Sequence, residues 1–399
     1  MKLKLLRSLL TSFVVILFLS GCAHKKYKFE YEHQGNEKTD QLIWPLAPET
    51  ARYRYLGEIV GETNFKEIKN SEGSLRKGFS WLGRFIFGEG IPLTLHRPHG
   101  GYYDKKHQRI FVTDVGQKKV FVFDLLNGRV EAWEGGGFEQ SFITPISITI
   151  LQNDQVLITD ADLGFVLRFD ATGKYLGAFG EVPGTDEANE VGKADEKNAE
   201  IAEIKDTKEV GKEKNNVANK KKLLRPTGIT HDPLSKKVFI ADSQSHEIHV
   251  FSESGKWLSA FGGKGAADGK FNAPTHLAFA NNVLHVSDTL NARVQLFDAN
   301  GKWLRSFGKR GLKVGNMPRP KGIAVDSDAN VYVVESYYDH LLMFNESGQS
   351  LMALGGSGNK PGQFDLPAGV WIDDKNRIYI ADMFNQRVSV FQYLSVADQ

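Results

Sequence analysis

One pattern recurs along this chain at a nearly fixed interval, and it constrains the fold more than any other feature. A proline opens a segment at Pro98, Pro145, Pro226, Pro274, Pro320 and Pro367. Each segment then carries a β-branched or aromatic run that closes on an acidic residue: Asp114, Asp160, Asp242, Asp288, Glu335 and Asp382. Successive acidic residues lie 46, 82, 46, 47 and 47 positions apart, so only one interval departs from the period. A unit repeated at this length cannot bury its own apolar face and must stack against its neighbours.

Within each copy the runs are short, rich in Val, Ile, Phe and Tyr, and bounded by Gly, Asn and Asp. That is strand and hairpin composition. Four runs per copy predict a four-stranded antiparallel blade, and six copies over 97–392 predict an all-β, six-bladed β-propeller. The sixth copy has no evident fourth run after Phe391-Gln392, whereas YRYLGEI (53–59) matches the fourth-run pattern of GKWLRSF. Residues 53–59 are therefore expected to complete blade six and close the ring, which removes its open edges. In 50–96, Leu75, Phe79, Leu82, Phe85 and Ile86 have near-helical spacing and predict a short capping helix over 74–88. The long interval contains 181–222, which mixes charges of both signs and has no aromatic residue, and is read as a disordered insertion.

The openings Pro226-Thr227-Gly228, Pro320-Lys321-Gly322 and Pro367-Ala368-Gly369 resemble NHL repeats. So do the Ala-Asp endings and the Asn-x-Arg-Val stretches at Asn291–Val294 and Asn385–Val388. The resemblance implies NHL-type four-stranded blades and covers most of the chain. It says little about activity, because one fold hosts many functions. A related propeller family, the peptidyl-hydroxyglycine lyases, holds zinc through histidines that follow the opening prolines. The matching positions here are His99, Ile146, Thr227, Thr275, Lys321 and Ala368, so only His99 matches. His276 lies one position later, where strand alternation is expected to turn it to the other face. One histidine does not make the three-ligand site that zinc catalysis uses. No metal ligand or catalytic residue is therefore assigned, although zinc, or calcium on oxygen ligands, stays open as an alternative with lyase chemistry.

Arg97, Arg225 and Arg319 precede the proline in alternate blades. With His99 and Lys321 they are the candidate ligand-binding residues, a basic channel mouth suited to a small acid or a carbohydrate. Tyr102, Tyr103, Tyr337, Tyr338, Trp371 and Phe384 are candidates either for an aromatic contact surface or for packing between blades. No phosphate loop, paired His-Glu motif or nucleophile elbow is present.

The N-terminus places the chain in a cell. Lys2, Lys4 and Arg7 precede an apolar run over Leu9–Leu19, too short for a spanning helix. Leu19-Ser20-Gly21-Cys22 resembles a bacterial lipobox. It implies cleavage after residue 21, acylation with palmitate-type chains at Cys22, and a lipidated tether over 22–49. Cys22 is the only cysteine, so an internal disulfide is excluded. Ala23 in place of an aspartate implies outer-membrane sorting, on the periplasmic or the cell-surface side. Without the three leader cations the formal charge of +2 becomes −1, which gives no support to a nucleic-acid partner. The expected function is an outer-membrane-anchored platform that binds or assembles another cell-envelope component. The tail over 393–399 carries no motif.

Overall fold

The computed structural model describes residues 27–32, 42–68, 92–137, 141–183 and 220–394. It is a six-bladed propeller with antiparallel blades. The innermost strands are Pro98–Asp104, Pro145–Ile150, Pro226–Asp232, Pro274–Ala280, Pro320–Val325 and Pro367–Ile372. They pack in cyclic order around a central channel, the sixth returning to the first.

The repeated residues have plain structural work. Each acidic residue ends the second strand of its blade, and its carboxylate accepts from backbone N–H groups at the start of the inner strand. Asp114 accepts from His96 and Arg97, Asp160 from Ile143 and Thr144, and Asp242 from Leu224 and Arg225. Asn291 and Arg293 bond Asp288 and neighbouring loop carbonyls, and Asn385 and Arg387 do the same around Asp382. The glycine of the Pro-x-Gly opening allows close approach near the axis. A Cβ on Gly369 would lie 2.3 Å from the His99 carbonyl, and one on Gly322 would lie 2.5 Å from the Val370 nitrogen.

The apolar core is divided into six clusters, one in each seam between adjacent blades. Tyr53–Ile59 pairs with Arg387–Tyr393, with Ile59 opposite Val388 and Tyr53 opposite Tyr393, and so closes blade six as expected. The closure buries charge as well as apolar surface. Arg387 is fully buried and pairs with Asp382 of its own blade and with Glu58 of the closing strand. Glu58 also accepts from the Tyr55 hydroxyl at 2.9 Å.

Two expectations need correction. The tether over 22–49 is not free throughout. Tyr27–Phe29 pairs with Phe65–Glu67, and Ile43–Trp44 adds a fifth strand to blade six. Phe29 and Tyr31 enter the seam between blades six and one, and Leu42 and Trp44 enter the seam between blades five and six. The cause is partial burial of apolar surface, which stabilises by about 25 cal/mol per Å² removed from water. The charged insertion likewise has ordered ends. Glu181–Pro183 pairs with Lys220–Lys222, and Val182 packs against the seam between blades two and three. Residues 184–219, the capping helix over 74–88, the leader and Cys22 lie outside the described residues.

Candidate functional site

The residues after the opening prolines gather where the six inner strands start. Each inner strand is irregular there. In blade one Pro98 faces Asp114 and Gly100 faces Thr113, so His99 is skipped in the pairing. In blade four Pro274 faces Asp288 and His276 faces Ser287, so Thr275 is skipped. Such a bulge breaks the alternation of side chains. His276 is therefore not turned away from the axis, contrary to the expectation from alternation. It lies against His99 of the opposite blade, with ring centroids 5.6 Å apart and planes 9° apart. His276 also occupies the position that is glycine in blades one, three, five and six. That substitution was the sequence signal for it.

The two imidazoles form a throat. Both are more than nine-tenths buried, at 9% and 8% exposure. Nδ1 of His99 and Nε2 of His276 have no hydrogen-bond partner. Burial pushes His99 down to about 3, helped by the charges of Lys321 and Arg225, while a hydrogen bond to the Ile146 carbonyl acts the other way. Burial likewise holds His276 well below the ordinary histidine value, with His99 and Lys321 adding to the effect. Lys321 is half-buried, and desolvation followed by the charge of Arg319 lowers its ammonium pKa. The throat is thus two neutral rings beside one cation.

Of the five predicted mouth residues, only His99 and Lys321 belong to this throat. Arg97 is exposed and lies over the Phe384 ring at 5.6 Å. Arg225 pairs with Asp162 at 2.8 Å. Arg319 is exposed and lines a depression on the outer face beside the mouth. The structure thus brings His99 and Lys321 together and turns the three arginines to other neighbours or to solvent. The aromatic candidates also divide. Tyr102, Tyr103 and Trp371 pack in seams, Trp371 stacked on Tyr379 at 5.5 Å. Tyr337 and Phe384 are exposed, at 62% and 50%.

Beyond the throat a cavity of about 320 Å³ opens toward the opposite face, with His276 in its wall. Tyr102, Phe279 and Trp371 line it with Asp373 and Asp374. The depression beside the mouth has a volume of about 300 Å³ and is walled by Leu290, Leu312, Tyr337 and Tyr338 with Arg310 and Arg319. Among the described residues no three histidine, cysteine or acidic side chains stand close enough to hold a metal ion. Two imidazoles beside an ammonium do not fit the zinc site of the lyase propellers.

No family model matches the chain, and no curated protein matches it. Solved structures do resemble it. A Bacteroides thetaiotaomicron protein of unknown function is 12% identical, with a TM-score of 0.53 over 76% of this chain and 71% of that one. An auxiliary nutrient binding protein from the same organism is 11% identical, with a TM-score of 0.52 over 75% and 70%. A gluconolactonase from Xanthomonas campestris is 13% identical, with a TM-score of 0.50 over 76% and 89%. At these identities the likeness is one of fold alone.

Proposed function

We propose that the chain is an outer-membrane lipoprotein, anchored through Cys22, whose propeller is a binding platform for another cell-envelope protein. The observation that carries the reading is the surface beside the channel mouth. Leu312 is 88% exposed, Tyr337 62%, and Leu290 49%, and all three border the same depression as Arg310 and Arg319. Arg319 is exposed, and Arg310 donates to the Leu290 carbonyl at 3.1 Å. Isolated exposed apolar residues need no explanation, but clustered ones rimmed by charge fit a partner. The matching partner surface is an apolar or aromatic anchor flanked by acidic residues. A rigid ring with preformed loops lowers the ordering cost of association. The anchor rests on Leu19-Ser20-Gly21-Cys22 and would concentrate the platform at the membrane.

The test is crosslinked capture from envelope extracts with wild-type protein and with Leu312→Asp combined with Tyr337→Ala. The expected result is one acidic envelope protein retained by the wild type and lost by the variant at unchanged melting temperature. Equal retention by both overturns the reading. Cys22→Ser is expected to move the protein out of the membrane fraction.

A further inference from the structure

The throat places a cation beside two unfinished hydrogen-bond positions and supplies no counter-charge. Lys321 is held partly away from water, and the charge that acts on it is that of Arg319, of the same sign. The six positions after the opening prolines supply His, Ile, Thr, Thr, Lys and Ala, with no carboxylate among them. The charge of Lys321 acts on both imidazoles and that of Arg225 on His99 from outside the throat, and no carboxylate acts on either ring. Arg225 already has Asp162. Charge withdrawn from water without a partner is costly, and chains retain it where something else supplies the partner.

Hydrogen bonds fix the state of His276. Thr289 Oγ1 donates to the Pro320 carbonyl at 2.8 Å, so it accepts from Thr275 Oγ1 at 2.6 Å. The Thr275 oxygen has then given its proton and accepts from Nδ1 of His276 at 3.1 Å. Nε2 of the neutral ring is left as a buried lone pair without a partner. His99, stacked against it, leaves Nδ1 in the same condition.

We propose that the throat binds a small oxyanion, a carboxylate or a phosphate group, which pairs with Lys321 and draws one proton from solvent onto the partnerless nitrogen of His276 or His99. The new N–H then donates to the oxyanion, so that a phosphate dianion balances both the imidazolium and the ammonium and a carboxylate lies between them as a shared counter-charge. Charge-assisted bonds of this kind are the strong ones. A metal ion is the poorer occupant, since the throat offers two nitrogens and an adjacent ammonium that repels a cation. The exposed arginines at the mouth give an approaching anion a favourable field. This inference stands apart from the partner surface, because the groups that would bind the anion, Lys321, His99 and His276, do not line the outer depression.

The experiment is titration calorimetry of full-length protein in detergent with phosphate, with acetate and with chloride at matched ionic strength. It is run in two buffers of different ionisation enthalpy. The expected result is binding of phosphate or acetate that chloride does not reproduce, with about one proton taken up per oxyanion bound. Acetate alone would identify a carboxylate ligand, and phosphate alone a phosphate group. Lys321→Met is expected to weaken binding roughly tenfold to a hundredfold. Lys313→Met, on the exposed loop at the same face, is expected to leave it unchanged. No binding beyond chloride, or wild-type affinity in Lys321→Met, overturns the proposal. If Lys321→Met does not fold, histidine resonances of the wild type decide. Phosphate or acetate must shift the signal lost in His276→Gln or the one lost in His99→Gln, and two unmoved signals overturn the proposal.

Discussion

The closure of blade six and the throat of the channel both withdraw charge from water, and they do so in opposite ways. At the closure every charge is answered. Arg387 meets Asp382 and Glu58, the loop carbonyls of Asn359, Lys360 and Gln363 take its remaining N–H groups, and Tyr55 completes Glu58. At the throat Lys321 and two imidazoles face one another with no acid between them. The first arrangement holds two ends of the chain together. The second leaves a cation without a counter-charge, an arrangement expected to cost stability. A closed network is how this molecule spends buried charge on structure, and an open one is where it leaves room for something else.

The largest expected effect lies at the closure. Glu58→Ala leaves Arg387 with half of its compensation and loosens the strand that completes the ring. A loss of about 3–5 kcal/mol in urea unfolding is expected. A loss well below 1 kcal/mol would show that apolar pairing closes blade six unaided.

The throat gives the next effect, through pH. Both imidazoles have folded values depressed by burial, His99 to about 3, against an ordinary 6.5. The unfolded chain therefore takes up protons first as the solution is acidified. Their stabilising contribution is complete above pH 6.5 and is lost as pH falls from 6.5 toward 3. Two such groups amount to about 2 kcal/mol over the first pH unit below 6.5. Phosphate or acetate is expected to reduce this loss, because the bound oxyanion lets one ring accept its proton. His285, a buried histidine in the second strand of blade four whose value is pushed down to about 4, serves as the comparison. Its share should not respond to the anion, and an equal response at both places would remove the distinction drawn here.

The smallest effect has the opposite sign. Lys321→Met removes a cation without a partner and keeps the side chain's length. It is expected to raise stability by roughly 1–2 kcal/mol in buffer free of oxyanions. Destabilisation would mean that Lys321 is satisfied within the protein.

Most of the ring could be read in the sequence, because a propeller repeats its hydrogen bonds as well as its hydrophobic pattern. Asp114, Asp160, Asp242, Asp288, Glu335 and Asp382 were visible as punctuation, and each caps the start of its inner strand or the turn beside it. The likeness of 53–59 to a fourth strand was enough to place the closure. What the repeat could not reveal were the departures from it. Phe29, Tyr31, Leu42 and Trp44 belong to no copy, and their burial depends on seams that exist only after the ring has closed. His276 was misplaced because strict alternation was assumed across a bulge, although its occupation of a glycine position marked it. The mouth arginines shared a position in the repeat without sharing a site. Their long side chains turn to whatever lies nearest, Phe384 for Arg97 and Asp162 for Arg225.

The central claim is that Lys321 lacks a partner until an oxyanion arrives. The most direct test is the titration of its side chain by nuclear magnetic resonance on lysine-labelled protein, with the signal assigned through Lys321→Met. The expected result is a pKa below the ordinary lysine value of 10.5 in chloride, moving back toward it when phosphate or acetate is added. An ordinary value that neither anion shifts would contradict the account.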